Sequence, residues 1–481
     1  MNHPPRKQHC CKATTAKFLQ IFLALLIVAT ISFSYYFSAI QSYDDTNNTL
    51  IPKTFFTSSS QSSRPEENIH DENIRDDLSG YGGVRYHVVF STGCSEQQHW
   101  ESYVFFYHAY KVRQPGNITR LVSGCTPQEE KRLRRYHGRK IATMSDRFHI
   151  HFTPEYSNVA TAQPYKYYNK PCGLHHWMTN VLHMDQHPKA FEDDIIILAD
   201  PDFILLRPIF HDTRNNTVHF VQNHPITKVV KHGMPIAQQD GYLYNDWMRF
   251  NISYITGGGN ISHVSREDGP RFYNTGPPYL ATVGDMYRIA TLWKEYVPRV
   301  YEEHPEIFAE MFGYIIATTQ LNLPHTLVSS FVVSTTETNN REGWNMVDSL
   351  PQNQVCNMPS QEWLPHALHY CQRYILGKWF FSKYRLKKNF LSCETPLLTH
   401  PPLDSASRYD YWIRPPPDRG ATHTEAVSGN LTKKRSKREA FMLCGLISKV
   451  NEAARYYKAH HCRAGANMNE TYNFHDDPYS T

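Results

Sequence analysis

Two carboxylates separated by one proline are the residues of this chain whose types and spacing most directly suggest chemistry. Asp200 and Asp202 follow an apolar run at residues 195–199, with Pro201 between them. In an extended chain residues i and i+2 point to the same side, and a proline biases the residue before it toward an extended conformation. Such a pair of oxygen ligands suits Mg²⁺ or Mn²⁺. The alternative is a turn at a strand end, where Asp and Pro are common.

The elements around this pair predict an α/β domain with a mainly parallel central sheet. The run at 195–199 is short, rich in β-branched residues and without helical period, which is typical of a strand buried on both faces. Ligand sites in open α/β sheets lie beyond the carboxyl ends of such strands. Strands are predicted at 86–92, 118–123 and 148–152, and helices at 100–111, 128–137, 173–183, 282–300, 307–318 and 441–460. The alternation of strands and helices before residue 200 favours parallel pairing.

The first 80 residues predict a membrane anchor followed by a stem. Residues 18–40 contain no charged side chain, and that length spans a hydrocarbon core as a helix. Basic residues precede this stretch, so the positive-inside rule leaves residues 1–17 as a cytoplasmic tail and places the rest of the chain in the lumen. A cleaved signal peptide is the alternative, although no convincing small-x-small cleavage site follows. Residues 41–80 are polar and predict a flexible stem.

The remainder of the chain agrees with a secretory location. It carries seven Asn-x-Ser/Thr sequons, which start at Asn47, Asn117, Asn215, Asn251, Asn260, Asn430 and Asn469. Eight cysteines follow the predicted anchor, namely Cys94, Cys125, Cys172, Cys356, Cys371, Cys393, Cys444 and Cys462. An even number in an oxidising compartment predicts disulfides, whose pairing cannot be deduced from the sequence. The spacings do not form a zinc pattern.

Charge and composition narrow the class of partner and the domain boundaries. The formal net charge is +5 over 481 residues, which argues against nucleic acid as the main partner. The compact basic run at 433–438 is predicted to be a solvated loop, and its Arg-x-Lys-Arg sequence gives a proprotein-convertase cleavage site as the alternative. Residues 399–440 are predicted to form an exposed linker, and 441–481 a C-terminal helix and tail. The domain that carries the two carboxylates then covers 81–398.

An anchored lumenal α/β domain with paired carboxylates at a strand end is typical of glycosyltransferases that use nucleotide sugars. A divalent cation there neutralises charge on the leaving diphosphate. The chain also resembles the hydroxyproline O-arabinosyltransferases and the related peptidyl serine α-galactosyltransferases. The stretches that carry the resemblance, in the family's order, are residues 87–92, 114–121, 168–173 with Trp177, 194–203, 310–314 and 368–370. The resemblance implies a GT-A type nucleotide-sugar-binding domain, a UDP-sugar donor, Mn²⁺ (or Mg²⁺) and a Golgi or endoplasmic reticulum membrane.

The resemblance also implies a role for individual residues. The metal ligands are then Asp200, Asp202 and a third residue, His369. The residues assigned to the donor are Asp200, Arg120, Asn169 and Lys170, and the alternatives are a structural ion pair for Arg120 and a solvated side chain for Lys170. Glu310 is implied on the acceptor side, as a general base or as a group that holds the acceptor. Without the resemblance, His369 would be read as a packed or surface histidine and Glu310 as a solvent-facing residue of a helix.

The reaction itself stays open within the family. The sugar is arabinose or galactose, and the acceptor is a hydroxyl of serine or hydroxyproline in a secretory protein. Trp379, Phe381 and Lys383 look more like the serine galactosyltransferase branch, and no stereochemical outcome is assigned. The alternatives are a transferase that extends a glycan, an inactive glycan-binding membrane protein on the same fold, and a lumenal hydrolase of nucleotide sugars. The hydrolase needs a positioned water and a further base, and the sequence identifies neither.

Overall fold

The structure, a computed structural model, describes residues 83–473 except for 159–163, 215–216, 242, 244–245, 338–340, 359–362, 414–427 and 463–465. The predicted cytoplasmic tail, membrane anchor and stem lie outside the described residues. Within the described part of the chain, no helix is both long enough and apolar enough to cross a membrane. All described residues belong to one unit, residues 70–481.

Residues 83–205 alternate strands and helices, as the sequence predicts. The strands are β1 (Tyr86–Gly93), β2 (Asn117–Ser123), β3 (Phe148–Thr153), β4 (Ile195–Ala199) and β5 (Phe203–Leu205), and the helices are α1 (Glu96–Lys111), α2 (Pro127–Lys140) and α3 (Asn169–Asn180). Helix α3 begins four residues before its predicted start. Its Pro171 lies in the first turn, where the missing N–H would have no intrahelical partner, so this proline fits a helix start.

The second half of the chain contains two long helices followed by short strands. Before residue 330 the elements are β6 (Ile236–Gln239), α4 (Ile252–Thr256), α5 (Asp268–Phe272), β7 (Thr275–Thr282), α6 (Val283–Glu303), α7 (Ala309–Gln320) and β8 (Thr326–Val328). After it they are β9 (Val332–Val333), α8 (Trp344–Asp348), β10 (Ala367–His369), β11 (Tyr374–Leu376), β12 (Trp379–Phe381), β13 (Leu397–Leu398), α9 (Ser405–Arg408), β14 (Tyr411–Ile413), β15 (Ser428–Asn430), α10 (Lys433–His461) and β16 (Thr471–Tyr472). Helices α6 and α7 confirm the predictions at 282–300 and 307–318.

The central sheet has seven strands in the order β3-β2-β1-β4-β7-β6-β8. Strands β1 to β4 pair in parallel, as do β6 and β8, whereas β7 runs antiparallel to both of its neighbours. The prediction of a mainly parallel sheet is therefore confirmed, with one reversed strand beside β4. The carboxyl end of β4, where Asp200 follows, lies at the same edge as the ends of β1, β2 and β3.

Strand β4 is apolar throughout because it is buried on both faces of the sheet. Its Ile195, Ile197 and Ala199 join a core that includes residues of α1 and α10. Its Ile196 and Leu198 join a second core, which includes residues of α3, α6 and α7. A strand covered on both faces needs apolar residues at every position, which explains the unbroken run in the sequence.

A small three-stranded sheet, β5-β10-β9, brings the late part of the chain to the end of β4. Strand β10 runs antiparallel to β5, and in this register His369 lies opposite Phe203. The backbone N–H of Tyr370 donates to the carbonyl oxygen of Asp202 at 3.1 Å. This pairing places His369 beside the two carboxylates although it follows Asp202 by more than 160 residues.

The prediction of a solvated loop at residues 433–438 is wrong. These residues form the first turns of α10, which starts eight residues before the predicted helix, and Thr432 caps it by accepting from the N–H of Arg435 at 3.2 Å. Arg438 is 2% exposed and donates to both carboxylate oxygens of Asp348, at 2.9 and 2.6 Å. Lys434, Arg435 and Arg438 pair with acids that are distant in sequence, so a basic run did not require a solvated loop. The boundaries predicted for the linker stay a prediction.

Three disulfides are present among the described residues: Cys94–Cys125, Cys356–Cys444 and Cys393–Cys462. Cys172 and Cys371 are free thiols. The first disulfide joins the loops that follow β1 and β2, at the carboxyl edge of the sheet. The other two connect α10 and the residue after it to the region 356–393, which contains β10, β11 and β12.

Candidate active site

The carboxylates of Asp200 and Asp202 and the imidazole of His369 meet at the carboxyl end of β4. The Nε2 atom of His369 lies 3.3 Å from Oδ1 of Asp202 and 3.8 Å from Oδ2 of Asp200. One ligand atom from each of the three residues lies within 4.8 Å of the other two. Asp202 and His369 are buried, whereas Asp200 is partly exposed. The residues predicted as metal ligands therefore form a cluster that can hold a cation.

Hydrogen bonds to the backbone fix the position of His369. The hydroxyl of Tyr374 donates to the carbonyl oxygens of His369 and Ser334, at 3.0 Å each. The buried carboxylate of Glu342 in turn accepts from the backbone N–H and the hydroxyl of Ser334. The ring of His369 packs edge-on against Phe203, with 4.8 Å between the ring centroids. These contacts hold the backbone and the ring of His369 beside the two carboxylates.

Lys170 connects Asp200 to Glu310. Its Nζ atom lies 2.8 Å from Oδ1 of Asp200 and 3.3 Å from Oε1 of Glu310, and its side chain is 12% exposed. Lys170 comes from the first turn of α3, and Glu310 from the first turn of α7. Two further predicted site residues are therefore in direct contact with the acidic pair.

Glu310 is held on both sides by aromatic residues. Its backbone N–H donates to the hydroxyl of Tyr165 at 2.9 Å, and its carbonyl oxygen accepts from Nε1 of Trp293 at 2.7 Å. Its side chain is buried, and burial raises the pKa of the Glu310 carboxyl to about 7, against the opposing effect of the Lys170 ammonium. A carboxyl group with such a pKa can accept a proton near neutral pH.

Lys383 is a neighbour of the acidic pair that the sequence analysis does not place in the site. Its Nζ atom donates to Oδ2 of Asp202 at 2.6 Å, and its side chain is 14% exposed. The hairpin of β11 and β12, in which Tyr374 pairs with Phe381, returns the chain toward His369. Apolar and aromatic residues on both sides of Gly377-Lys378 are typical of such a hairpin, so a signal for it exists in the sequence.

Glu101 of α1 is a second site neighbour that sequence reasoning misses. It is 2% exposed, and burial raises the pKa of its carboxyl to about 7 against the effect of Lys383. The side-chain amide of Gln97, one turn earlier on α1, donates to the carbonyl oxygen of Lys383 at 3.3 Å. Helix α1 thus contacts Lys383 through Gln97 and places a second buried acid near it.

Arg120 and Asn169, the other predicted donor contacts, have different surroundings. Arg120 is fully buried in the middle of β2, where its Nε–H donates to Oγ1 of Thr92 at 2.9 Å, and burial lowers the pKa of its guanidinium to about 9. The amide of Asn169 donates to Oε1 of Glu155 and accepts from the backbone N–H of Tyr156, both at 2.8 Å. Asn169 therefore orients the loop after β3. Contact of either residue with a donor stays a prediction.

The comparison with known families settles the class of the chain. A sequence model of the hydroxyproline O-arabinosyltransferase family N-terminal domain matches residues 86–327. The chain belongs to this family. The match confirms the resemblance drawn from the sequence, and it makes the protein a member of a glycosyltransferase family. It includes four of the clustered residues, Asp200, Asp202, Lys170 and Glu310, and ends before His369 and Lys383.

A curated relative supports the same family at low identity. The peptidyl serine alpha-galactosyltransferase of Arabidopsis thaliana is 24% identical over 263 residues, which cover 52% of this chain and 27% of that protein. The chain thus spans about a quarter of the length of this relative. The activity of the relative is therefore a guide to the class of reaction and not an assignment of substrate.

Proposed function

We propose that the protein is a metal-dependent glycosyltransferase that moves arabinose or galactose from a UDP-sugar to a hydroxyl of serine or hydroxyproline in secretory-pathway glycoproteins. One observation carries the proposal: the ligand atoms of Asp200, Asp202 and His369 lie within 4.8 Å of one another at the carboxyl end of β4. Family membership supplies the class of reaction. A GT-A type domain, anchored in a Golgi or endoplasmic reticulum membrane by residues 18–40, is part of the same proposal.

The three proposed ligand residues suit Mn²⁺ or Mg²⁺. Asp200 and Asp202 offer hard oxygen ligands and His369 offers an imidazole nitrogen, a combination that Mn²⁺ accepts. When bound, such a cation neutralises the charge that develops on the diphosphate leaving group. The protein's own contribution is to place the ammonium groups of Lys170 and Lys383 at the same edge of the sheet, where they favour a diphosphate.

Glu310 is the residue that we propose acts on the acceptor. Its buried carboxylate contacts Lys170, which also contacts Asp200. Glu310 therefore lies on the α7 side of the cluster formed by Asp200, Asp202 and His369. A carboxylate whose pKa is raised to about 7 can take the proton of an attacking hydroxyl. In the alternative role it accepts a hydrogen bond from the hydroxyl and orients it without proton transfer.

The test is transfer by the full-length protein in detergent. The protein is incubated with Mn²⁺ and with UDP-arabinose or UDP-galactose, together with matched peptides that contain serine, hydroxyproline or alanine at one position. We expect the mass of one pentose or one hexose to be added to a hydroxyl peptide and not to the alanine peptide. Asp202→Asn is expected to abolish the transfer, and Lys378→Met, at an exposed position, to preserve it.

Two results would contradict the proposal in different ways. Failure to bind UDP in the presence of Mn²⁺ would refute the nucleotide-sugar assignment as a whole. Normal UDP binding, with sugar added to a glycan acceptor but not to any peptide, would show that the protein extends a glycan instead.

A further inference from the structure

We propose that Lys383 is an internal counter-cation of the metal site, which weakens binding of the divalent cation alone and strengthens binding of the nucleotide diphosphate. The cation is then retained mainly together with the nucleotide. This inference rests on the proposed UDP-sugar transfer and assigns a role to a residue outside the family-matched range of 86–327.

In each of the two aspartates, one carboxylate oxygen faces the His369 imidazole and the other contacts a lysine ammonium group. Asp202 presents Oδ1 to His369 and Oδ2 to Lys383, at 3.3 and 2.6 Å. Asp200 presents Oδ2 to His369 and Oδ1 to Lys170, at 3.8 and 2.8 Å. The oxygens that face the imidazole form an inner set that can receive a cation. The oxygens of the outer set are already held by ammonium groups.

An ammonium group on the outer oxygen opposes a cation on the inner oxygen of the same carboxylate. The two positive charges would be separated by one carboxylate group, and the Lys383 side chain is only 14% exposed, so solvent screens their repulsion weakly. Because the Lys383 ammonium already compensates part of the Asp202 charge, less of that charge is available to a divalent cation that binds alone, whereas a diphosphate brings negative charge of its own.

The same ammonium group favours the diphosphate. Lysine donates to phosphate oxygens as a compact charge, and charge-assisted hydrogen bonds of this kind are stronger than neutral ones. Lys383 is attached to the hairpin that follows His369, and Glu101 of α1 provides a second acidic neighbour for it. Its position therefore does not depend on Asp202 alone.

Lys383 gives a cleaner test than Lys170. The Nζ atom of Lys170 also lies 3.3 Å from Oε1 of Glu310, so its replacement would disturb the proposed acceptor residue as well. Lys383→Met removes the charge and retains much of the aliphatic length. Lys383→Arg keeps the charge, and Lys378→Met removes an exposed lysine five residues earlier as a matched control.

The experiment is calorimetric titration of the full-length protein with Mn²⁺ alone and with UDP alone in the presence of a chelator. Relative to wild type, we expect Lys383→Met to bind Mn²⁺ about tenfold more tightly and UDP about tenfold more weakly, the size of a moderate charge–charge effect. Lys383→Arg is expected to keep both affinities within about threefold, and Lys378→Met to change neither. Thermal melting verifies that each variant is folded, and Lys383→Gln is a second neutral variant.

The opposite signs separate this role from a structural one. If Lys383 only supports the geometry of Asp202, its neutral variants will bind both Mn²⁺ and UDP more weakly, and the inference is overturned. Unchanged affinities would overturn it as well. If wild type binds UDP with Mn²⁺ but the neutral variants give either of these two overturning results, the proposed function survives without the inference. If wild type does not bind UDP with Mn²⁺, the proposed function itself fails.

Discussion

Replacement of Arg438 by methionine tests whether the basic run at the start of α10 is docked in the protein core. The guanidinium of Arg438 donates to both oxygens of Asp348, at 2.9 and 2.6 Å, and to the carbonyl oxygen of Thr336 at 3.2 Å. It also lies over the ring of Trp344, 5.0 Å from the centroid. Methionine retains part of the aliphatic packing and removes every one of these polar contacts.

The structure sets the size of the expected loss. Removal of one partner from a buried ion pair costs roughly 3–5 kcal/mol of the free energy of unfolding, because the other charge is left without compensation. The Asp348 side chain is 22% exposed and keeps Lys434, whose Nζ atom lies 3.5 Å away. The remaining charge is therefore partly solvated and partly paired. We expect Arg438→Met to lower the free energy of unfolding by about 3 kcal/mol, at the lower end of that range.

Urea unfolding of the full chain measures this loss, and Lys433→Met is the matched control. Lys433 is an exposed residue at the start of the same helix, so its replacement should change the free energy of unfolding by less than about 0.5 kcal/mol. A proprotein convertase added to the native protein should leave the bond after Arg438 intact, because this residue is buried in a helix. Equal stability of the two variants, or rapid cleavage of the native chain, would refute the docked helix and restore the solvated loop.

Three further outcomes are expected at the site and in the core. His369→Ala should weaken Mn²⁺ binding in the presence of UDP by at least about tenfold, and an unchanged titration would remove His369 from the ligand set. Glu310→Gln should lower transfer by roughly 10²–10⁴-fold with UDP binding intact, and normal turnover would refute its role. His108 is 1% exposed and its Nε2–H donates to the carbonyl oxygen of Lys449, and burial lowers the pKa of this imidazole to about 3. In the unfolded chain this imidazole binds a proton as the pH falls below about 6.5, whereas in the folded protein it stays neutral. Between pH 7 and pH 5, urea unfolding should therefore show that wild type loses about 2 kcal/mol more free energy of unfolding than His108→Gln. Equal losses would contradict this assignment.

The parts of the fold that were predictable are those with a local physical signal. The unbroken apolar run at 195–199 requires burial on both faces, and the helices α1, α2, α6 and α7 show a clear start or stop in sequence. The position of the two carboxylates at the edge of the sheet was predictable as well, because they come directly after that predicted strand. Each of these features depends on residues that are close together in the chain.

The features that carry no local signal in the sequence depend on contacts between distant residues. His369 reaches the site through the pairing of β10 with β5, and without a family resemblance its sequence neighbours carry no signal for a metal ligand. Lys383 arrives through a hairpin whose direction relative to Asp202 is set by tertiary packing. The charged run before Arg438 was misread because its partner Asp348 is 90 residues away. Arg120 was assigned to the donor, and its burial in the middle of β2 depends on packing that the sequence does not show.

Two of the disulfides restrain the part of the chain that carries His369 and Lys383. Asp200 and Asp202 lie in the turn between β4 and β5, but His369 and Lys383 belong to the region 356–393, each end of which is covalently bound to α10 or to the residue after it. These two bonds close chain separations of 88 and 69 residues, and loops of that length are stabilised by about 4–5 kcal/mol each in the chain-entropy description. In a reducing compartment the imidazole and the second lysine would lose this covalent restraint while the carboxylates kept their place. We therefore expect reduction of these two disulfides to weaken Mn²⁺ binding at the proposed site.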